Sequence, residues 1–101
     1  MKIYIAGPMS GIKDWNFPAF NEAQRQLEAL GYEVENPASQ GGGEETWEFY
    51  LKGALRQMLT CDAIALLDGW CDSDGALLEV RTGNDVGIYA HSIEWILENG
   101  Y

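Results

Sequence analysis

Histidine occurs once in this chain of 101 residues (His91), cysteine twice (Cys61 and Cys71), and Lys plus Arg number only six. Each shortage excludes something. The two cysteines form no CxxC pair and have one histidine for company, so the spacing of a zinc site is missing and no metal is expected. They are better read as reduced thiols of an intracellular protein, with a single disulfide left open. One isolated histidine, and no serine in a nucleophile elbow, leave Ser-His-Asp hydrolysis without support. No apolar run approaches the roughly 20 residues of a membrane span, and the run after Met1 is too short for a signal peptide. The expected compartment is therefore the cytoplasm, with no membrane partner. Six basic residues against 16 acidic ones give a formal charge of −10, a field that repels a polyanion. A nucleic-acid polymer is a poor partner, whereas a single phosphate can still be held by loop N–H groups.

Hydrophobic residues make up 47% of the chain and include four Trp, five Tyr and three Phe, enough for a globular core and too many for disorder. The length suits one domain over residues 1–101. Lys2 to Ala6 reads as a strand stopped by Gly7-Pro8, followed by a loop to about Phe17. Pro18 opens a helix in which Phe20, Ala23, Leu27 and Leu30 recur at helical spacing, and Gly31 ends it. Tyr32 to Glu35 reads as a second strand. Ala38 to Thr46, containing Gly41-Gly42-Gly43, reads as a flexible loop. Trp47, Tyr50, Leu51, Ala54, Leu55, Met58 and Leu59 form an apolar stripe expected to pack on a sheet. Ala63 to Leu67 is continuously apolar, as in a central strand covered on both faces. After a loop from Asp68 to Asp74, a helix from Gly75 or Ala76 runs to about Val86. Gly87 stops it, Ile88 to Ala90 suits a short fourth strand, and Ser92 caps a helical segment over Ile93 to Glu98.

Strands alternating with helices imply a small doubly wound α/β fold, flavodoxin/Rossmann-like, with a parallel sheet of about four to five strands flanked by helices. The loops leaving the strand C-termini then share the ligand-binding edge of the sheet. They are Gly7 to Gly11, Asn36 to Ser39 and Asp68 to Gly75, all small and polar. Gly7, Ser10 and Gly11 can admit a ligand close to the backbone, although their spacing matches neither a dinucleotide fingerprint nor a Walker A loop. Trp15, Phe17 and Trp70 can stack a base or simply roof the core. Asp62, Asp68, Asp72 and Asp74 can supply acid catalysis or hold magnesium, and suit turns equally well. Ser73 fits a helix N-cap and a ligand contact.

Glu79 lies about one helical turn beyond the polar, Gly-containing loop, where a carboxylate can act on a small ligand. A capping box fits it poorly, since the position three after Ser73 or Asp74 is Ala76 or Leu77. A dipole contact fits but contributes only about 0.3–1 kcal/mol. By spacing alone, a solvated surface acid is the commonest role for such a residue.

Taken in order, Lys2-Ile-Tyr-Ile-Ala-Gly-Pro-Met-Ser-Gly11, Asn16-Phe-Pro-Ala-Phe-Asn21, Gly31-Tyr-Glu-Val-Glu-Asn-Pro37, Cys61-Asp-Ala-Ile-Ala-Leu-Leu67 and Ser73-x-Gly-x-x-x-Glu79 resemble a small phage and bacterial family of unknown function (DUF4406-like). That family lies within the nucleoside 2-deoxyribosyltransferase-like superfamily. The likeness spans roughly residues 1 to 90. It implies that a (deoxy)nucleoside or nucleoside 5′-monophosphate is bound and its N-glycosidic bond cleaved or transferred. Glu79 would be the nucleophile, carrying a covalent deoxyribosyl intermediate. Ser73 and Gly75 would contact the sugar or its 5′ phosphate. Gly7, Pro8, Met9, Ser10 and Gly11 would enclose base and sugar, with Asn16, Phe17 and Trp70 completing the site. The resemblance implies no cofactor and a homo-oligomer. It departs at Ala54, where relatives usually carry an aspartate that helps protonate the leaving base. Glu48, on the same helical stretch, is the weak substitute in the sequence. A pocket without its acid would instead suit a non-catalytic nucleotide or nucleotide-signal binding protein.

Overall fold

The computed structural model describes residues 1–41 and 44–101. Four strands, β1 (Lys2–Ala6), β2 (Glu33–Glu35), β3 (Ala63–Leu66) and β4 (Tyr89–Ser92), form one parallel sheet in the order β2-β1-β3-β4. Helices α1 (Phe17–Ala29), α2 (Trp47–Leu59), α3 (Asp74–Val86) and α4 (Ile93–Asn99) alternate with them. The expected α/β class, alternation and four strands are all present. Short 3-10 turns at Lys13–Asn16, Pro37–Gln40 and Trp70–Asp72 occupy stretches read from sequence as plain loop. The flexibility expected of Gly42 and Gly43 falls outside the described residues.

The pleat of β1 explains the layering. Ile3 and Ile5 point to one face with Phe20, Ala23, Leu27, Ile93 and Ile96, the inner surfaces of α1 and α4. Tyr4 and Ala6 point to the other with Ala54, Met58, Ile64, Leu66 and Ala76, where α2 and α3 pack. Alternation of side chains along a strand makes this two-sided burial possible, and β3 is buried at every position, as a central parallel strand requires.

Helix boundaries follow side-chain caps. Thr46 Oγ1 accepts the Phe49 N–H, Ser73 Oγ accepts the Ala76 N–H and Ser92 Oγ accepts the Trp95 N–H, so α2, α3 and α4 each begin at the following residue. The start of α3 is thereby one to two residues earlier than its apolar pattern suggested. Gly87 ends α3 in the left-handed conformation (φ +80°), and the Ile88 N–H returns to the Gly83 carbonyl at 2.8 Å. That bond ties Ile88 to α3 and to the core, so β4 starts at Tyr89 rather than at Ile88.

The α2 stripe behaves differently from its sequence pattern. Ala54 and Met58 are buried against the sheet, but Trp47 and Leu59 at the two ends of the helix are about half exposed. Among the described residues no helix is long and apolar enough to cross a membrane. Cys61 is buried, Cys71 is exposed and both are free; burial pushes the Cys61 thiol up to about 11.

Helix α3 approaches the sheet closely at Gly83. A Cβ there would lie 2.5 Å from the Ile88 carbonyl oxygen and 2.8 Å from Ile64 Cδ1. Gly83→Ala should therefore lower stability by about 1–3 kcal/mol, the overpacking cost exceeding the roughly 1 kcal/mol gained from better helix propensity. Urea titration at pH 5 checks this; an unchanged or raised midpoint would contradict the close approach.

Candidate functional site

The switch in strand order falls between β1 and β3, whose C-terminal ends release the loops from Gly7 and from Leu67. This is the location at which open α/β sheets form crevices. Here it holds a cavity of about 250 Å³, large enough for a small organic ligand.

Glu79 forms one wall of that cavity. Ala76, Glu79 and Gly83 recur along the inward side of α3 and are all buried, because residues three and four apart share a helix face. Glu79 is 5% exposed, which sets aside the solvated surface acid that spacing alone suggests. It lies in the second turn of α3, beyond the first turn where a helix dipole acts. Its partner is Tyr4, fully buried in β1, whose hydroxyl donates a hydrogen bond to Glu79 Oε2. Burial pushes the Glu79 carboxyl up to about 7, and the Tyr4 hydrogen bond pulls the other way. Burial first, then the neighbouring carboxylate, hold the Tyr4 phenol well above its usual range. A phenol that keeps its proton is a fixed donor, and a carboxyl that titrates near neutrality is available as a nucleophile or base once ionised.

The β1 loop and the start of α3 supply the neighbouring surfaces. Gly7, Met9, Ser10, Phe17, Ser73 and Gly75 line the cavity together with Glu79. Gly7 also has a packing role, since a Cβ there would sit 2.8 Å from Leu67 Cβ. Pro8 lines an adjoining hollow of about 200 Å³, which shares Met9, Ser10, Trp47, Ser73 and Gly75 with the main cavity. Ser73 combines its two expected positions, capping α3 while facing the cavity.

Three expected contacts are placed elsewhere. Gly11 lines neither space and turns the loop with φ +79°. Asn16 donates from Nδ2 to the Pro8 carbonyl at 3.0 Å, bracing the loop from behind. Trp70 lines neither space and packs, partly buried, against the core layer that holds Tyr4, Ala54 and Met58. Trp15 does line the cavity, at the centre of three successive left-handed residues, Asp14, Trp15 and Asn16 (φ +55°, +55° and +59°). Asp and Asn tolerate this conformation; a tryptophan does so at a cost, the kind of strain found at ligand-facing loops.

Of the aspartates, Asp62 accepts the Lys2 backbone N–H at 2.9 Å, while Asp72 and Asp74 line the adjoining hollow. Among the described residues no three His, Cys, Asp or Glu side chains gather as metal ligands.

The sequence reading missed one side of the cavity. Gln40, Glu45, Trp47, Tyr50 and Ala54 line it from the start of α2 and the segment before it. The helix's first two turns thus face the cavity, which explains why Trp47 departs from the apolar stripe. Glu48 is exposed and lines no part of the cavity; the carboxylate there is Glu45. Tyr4 carried a signal that went unused, since a tyrosine inside a central strand needs a buried partner for its hydroxyl.

The family described as "Domain of unknown function (DUF4406)" matches residues 1–91. Among solved structures, the 2-deoxyribosyltransferase of the psychrotolerant bacterium Bacillus psychrosaccharolyticus has a similar fold, with a TM-score of 0.68 and 22% identity over 89% of this chain and 69% of that one. That enzyme is described as a biocatalyst for nucleoside synthesis. No curated protein sequence matches the chain. The chain belongs to the DUF4406 family, and its four-stranded parallel sheet with flanking helices is a nucleoside 2-deoxyribosyltransferase-like fold.

Proposed function

We propose that this protein binds a (deoxy)nucleoside or nucleoside 5′-monophosphate and cleaves or transfers its N-glycosidic bond, with Glu79 as nucleophile. The observation that carries this reading is the buried Glu79 carboxyl on the cavity wall, held by the Tyr4 hydroxyl. A carboxylate that must attack one carbon needs a fixed rotamer and limited hydration, and both follow from its burial and its single donor. The cavity's aromatic side, Trp15, Phe17, Trp47 and Tyr50, offers planar surface to a base. Ser10, Ser73 and Gly75 offer polar contacts to a sugar. Attack of Glu79 on the anomeric carbon breaks the bond to the base nitrogen and leaves a glycosyl ester, which water or a second base then resolves.

The protonation state of Glu79 sets when this works. Below about pH 4.5 the carboxyl is protonated in folded and unfolded chains alike. Between 4.5 and about 7 the folded chain keeps a proton that the unfolded chain has lost, so stability falls as pH rises. Above 7 the ionised, buried carboxylate costs the fold about 3 kcal/mol. The reactive ionised form is therefore the less stable one.

A second reading, a nucleotide-binding protein without turnover, draws on Ala54. It lines the cavity with a methyl group at the position where the resembling enzymes usually carry an acid. The two readings differ in product, since only the first releases free base.

Three outcomes are expected. Incubation with a panel of deoxynucleosides and their 5′-monophosphates should release free base, seen by chromatography, and Glu79→Gln should abolish that release. Binding without release from any substrate would favour the second reading. Thermal melts should show Glu79→Gln more stable than the wild type at pH 8 by about 3 kcal/mol, with the gap closing towards pH 4.5; a gap independent of pH would refute the burial-driven shift. Tyr4→Phe removes the bond that favours the carboxylate, so the acid limb of the pH–rate profile should move to higher pH. A profile left in place would show that Tyr4 does not act on Glu79.

A further inference from the structure

Breaking an N-glycosidic bond leaves an electron pair on the base, and a base expelled as an anion is a poor leaving group. A proton donor on the base side of the cavity lowers that barrier. Among the described residues lining the cavity, the ionisable side chains are Tyr4, Glu45, Tyr50 and Glu79. Tyr4 and Glu79 are bonded to each other. The Tyr50 hydroxyl oxygen accepts the backbone N–H groups of Glu44 and Glu45, both at 3.2 Å. Of the two carboxyls, Glu79 is engaged by Tyr4, whereas the Glu45 side chain has no hydrogen-bond partner among the described residues, and its backbone is pinned on both sides: by Tyr50 at its own N–H and by the Thr46 cap of α2 immediately after it. Its neighbours on the same wall, Trp47 and Tyr50, are aromatic surfaces suited to a base, whereas Glu79 belongs to the α3 wall with Ser73 and Gly75.

The geometry points to Glu45 as the general acid of the reaction, a catalytic residue supplied by the segment before α2 in place of an acid at Ala54. This rests on the glycosyl-transfer reading above. In the first step Glu79 Oε forms a bond to the anomeric carbon as the carbon–nitrogen bond breaks. The electron pair stays with the base, and the Glu45 carboxyl gives its proton to a base nitrogen or oxygen. In the second step the Glu45 carboxylate takes a proton from water, whose oxygen attacks the anomeric carbon and frees Glu79. With a second base as acceptor, that base's nitrogen attacks and loses its proton to Glu45. Tyr50 is a positioning residue, acting only through the two N–H groups that it holds.

The test is the dependence of rate on the leaving group. With the full-length chain, base release is measured for 2′-deoxyuridine and its 5-fluoro and 5-bromo derivatives, and for 2′-deoxyguanosine against 7-methyl-2′-deoxyguanosine, whose base departs without needing a proton. Glu45→Gln should slow the unactivated substrates about 10²-fold or more in kcat, the lower end of a general acid's contribution, and the activated ones far less. Tyr50→Phe should give a weaker version of the same leaving-group dependence, and Glu48→Gln should change nothing. Equal slowing of every substrate by Glu45→Gln, or no slowing, would overturn the role of Glu45 while leaving Glu79-dependent base release intact. Absence of base release from all five substrates and the rest of the nucleoside panel with the wild-type chain would instead remove the reaction itself, and this role with it. Glu45 is exposed and its backbone N–H survives the substitution, so the variant is expected to fold, and its melting curve checks that.

Discussion

The contact between Tyr4 and Glu79 is the polar exception in a core layer otherwise built from Ala6, Ala54, Met58, Ile64, Leu66 and Ala76. It joins the first strand to the third helix at the edge of the sheet where a cavity opens. A lone ionised carboxylate in that layer would be expensive, and a lone phenol would waste a donor. Paired, each satisfies part of the other's demand, yet the carboxyl still titrates near 7 because one hydrogen bond does not offset removal from water. The stability of the α2/α3 face and the ionisation of the site are consequently two aspects of one interaction.

Helix α3, which brings this carboxyl to the cavity, approaches the sheet closely at Gly83. Gly83 leaves room for the Ile88 carbonyl and Ile64, and the bond from the Ile88 N–H to the Gly83 carbonyl fixes the return into β4. At its other end Ser73 caps the helix and faces the cavity. The helix thus places Ser73, Gly75 and Glu79 as a rigid set, which is how a site gains precision that loops alone do not supply.

The part of the lining that comes from α2 has a different construction. Gln40, Glu45, Trp47 and Tyr50 come from the beginning of α2 and the chain before it, held by the Thr46 cap, by the Tyr50 hydroxyl and by a hydrogen bond from Gln40 Nε2 to the Tyr50 carbonyl at 3.2 Å. The strained turn carrying Trp15 closes the aromatic side. Aromatic side chains and a polar helix terminus both line the cavity of about 250 Å³. Such an arrangement distinguishes the two ends of a ligand that has a planar ring at one end and hydroxyls at the other.

Several features were legible from the chain alone because they depend on local rules. The alternation of β and α segments, the stops at Gly31 and Gly87, the caps at Ser73 and Ser92 and the buried β3 all follow from spacing, φ preference and side-chain capping. The ordered motifs from Lys2 to Glu79 also marked the family. The direction of Glu79 was legible in principle, since Ala76 and Gly83 share its helix face, but three positions are a weak pattern when Leu77 and Leu78 interrupt them. Tertiary packing decided the rest. It buried Glu79 against Tyr4, packed Trp70 against the core layer, drew Trp47 away from the sheet and brought Glu45 rather than Glu48 to the cavity. Those outcomes depend on which surfaces meet across the sheet edge, and residues 4, 45 and 79 meet there only once the parallel order β2-β1-β3-β4 has been formed.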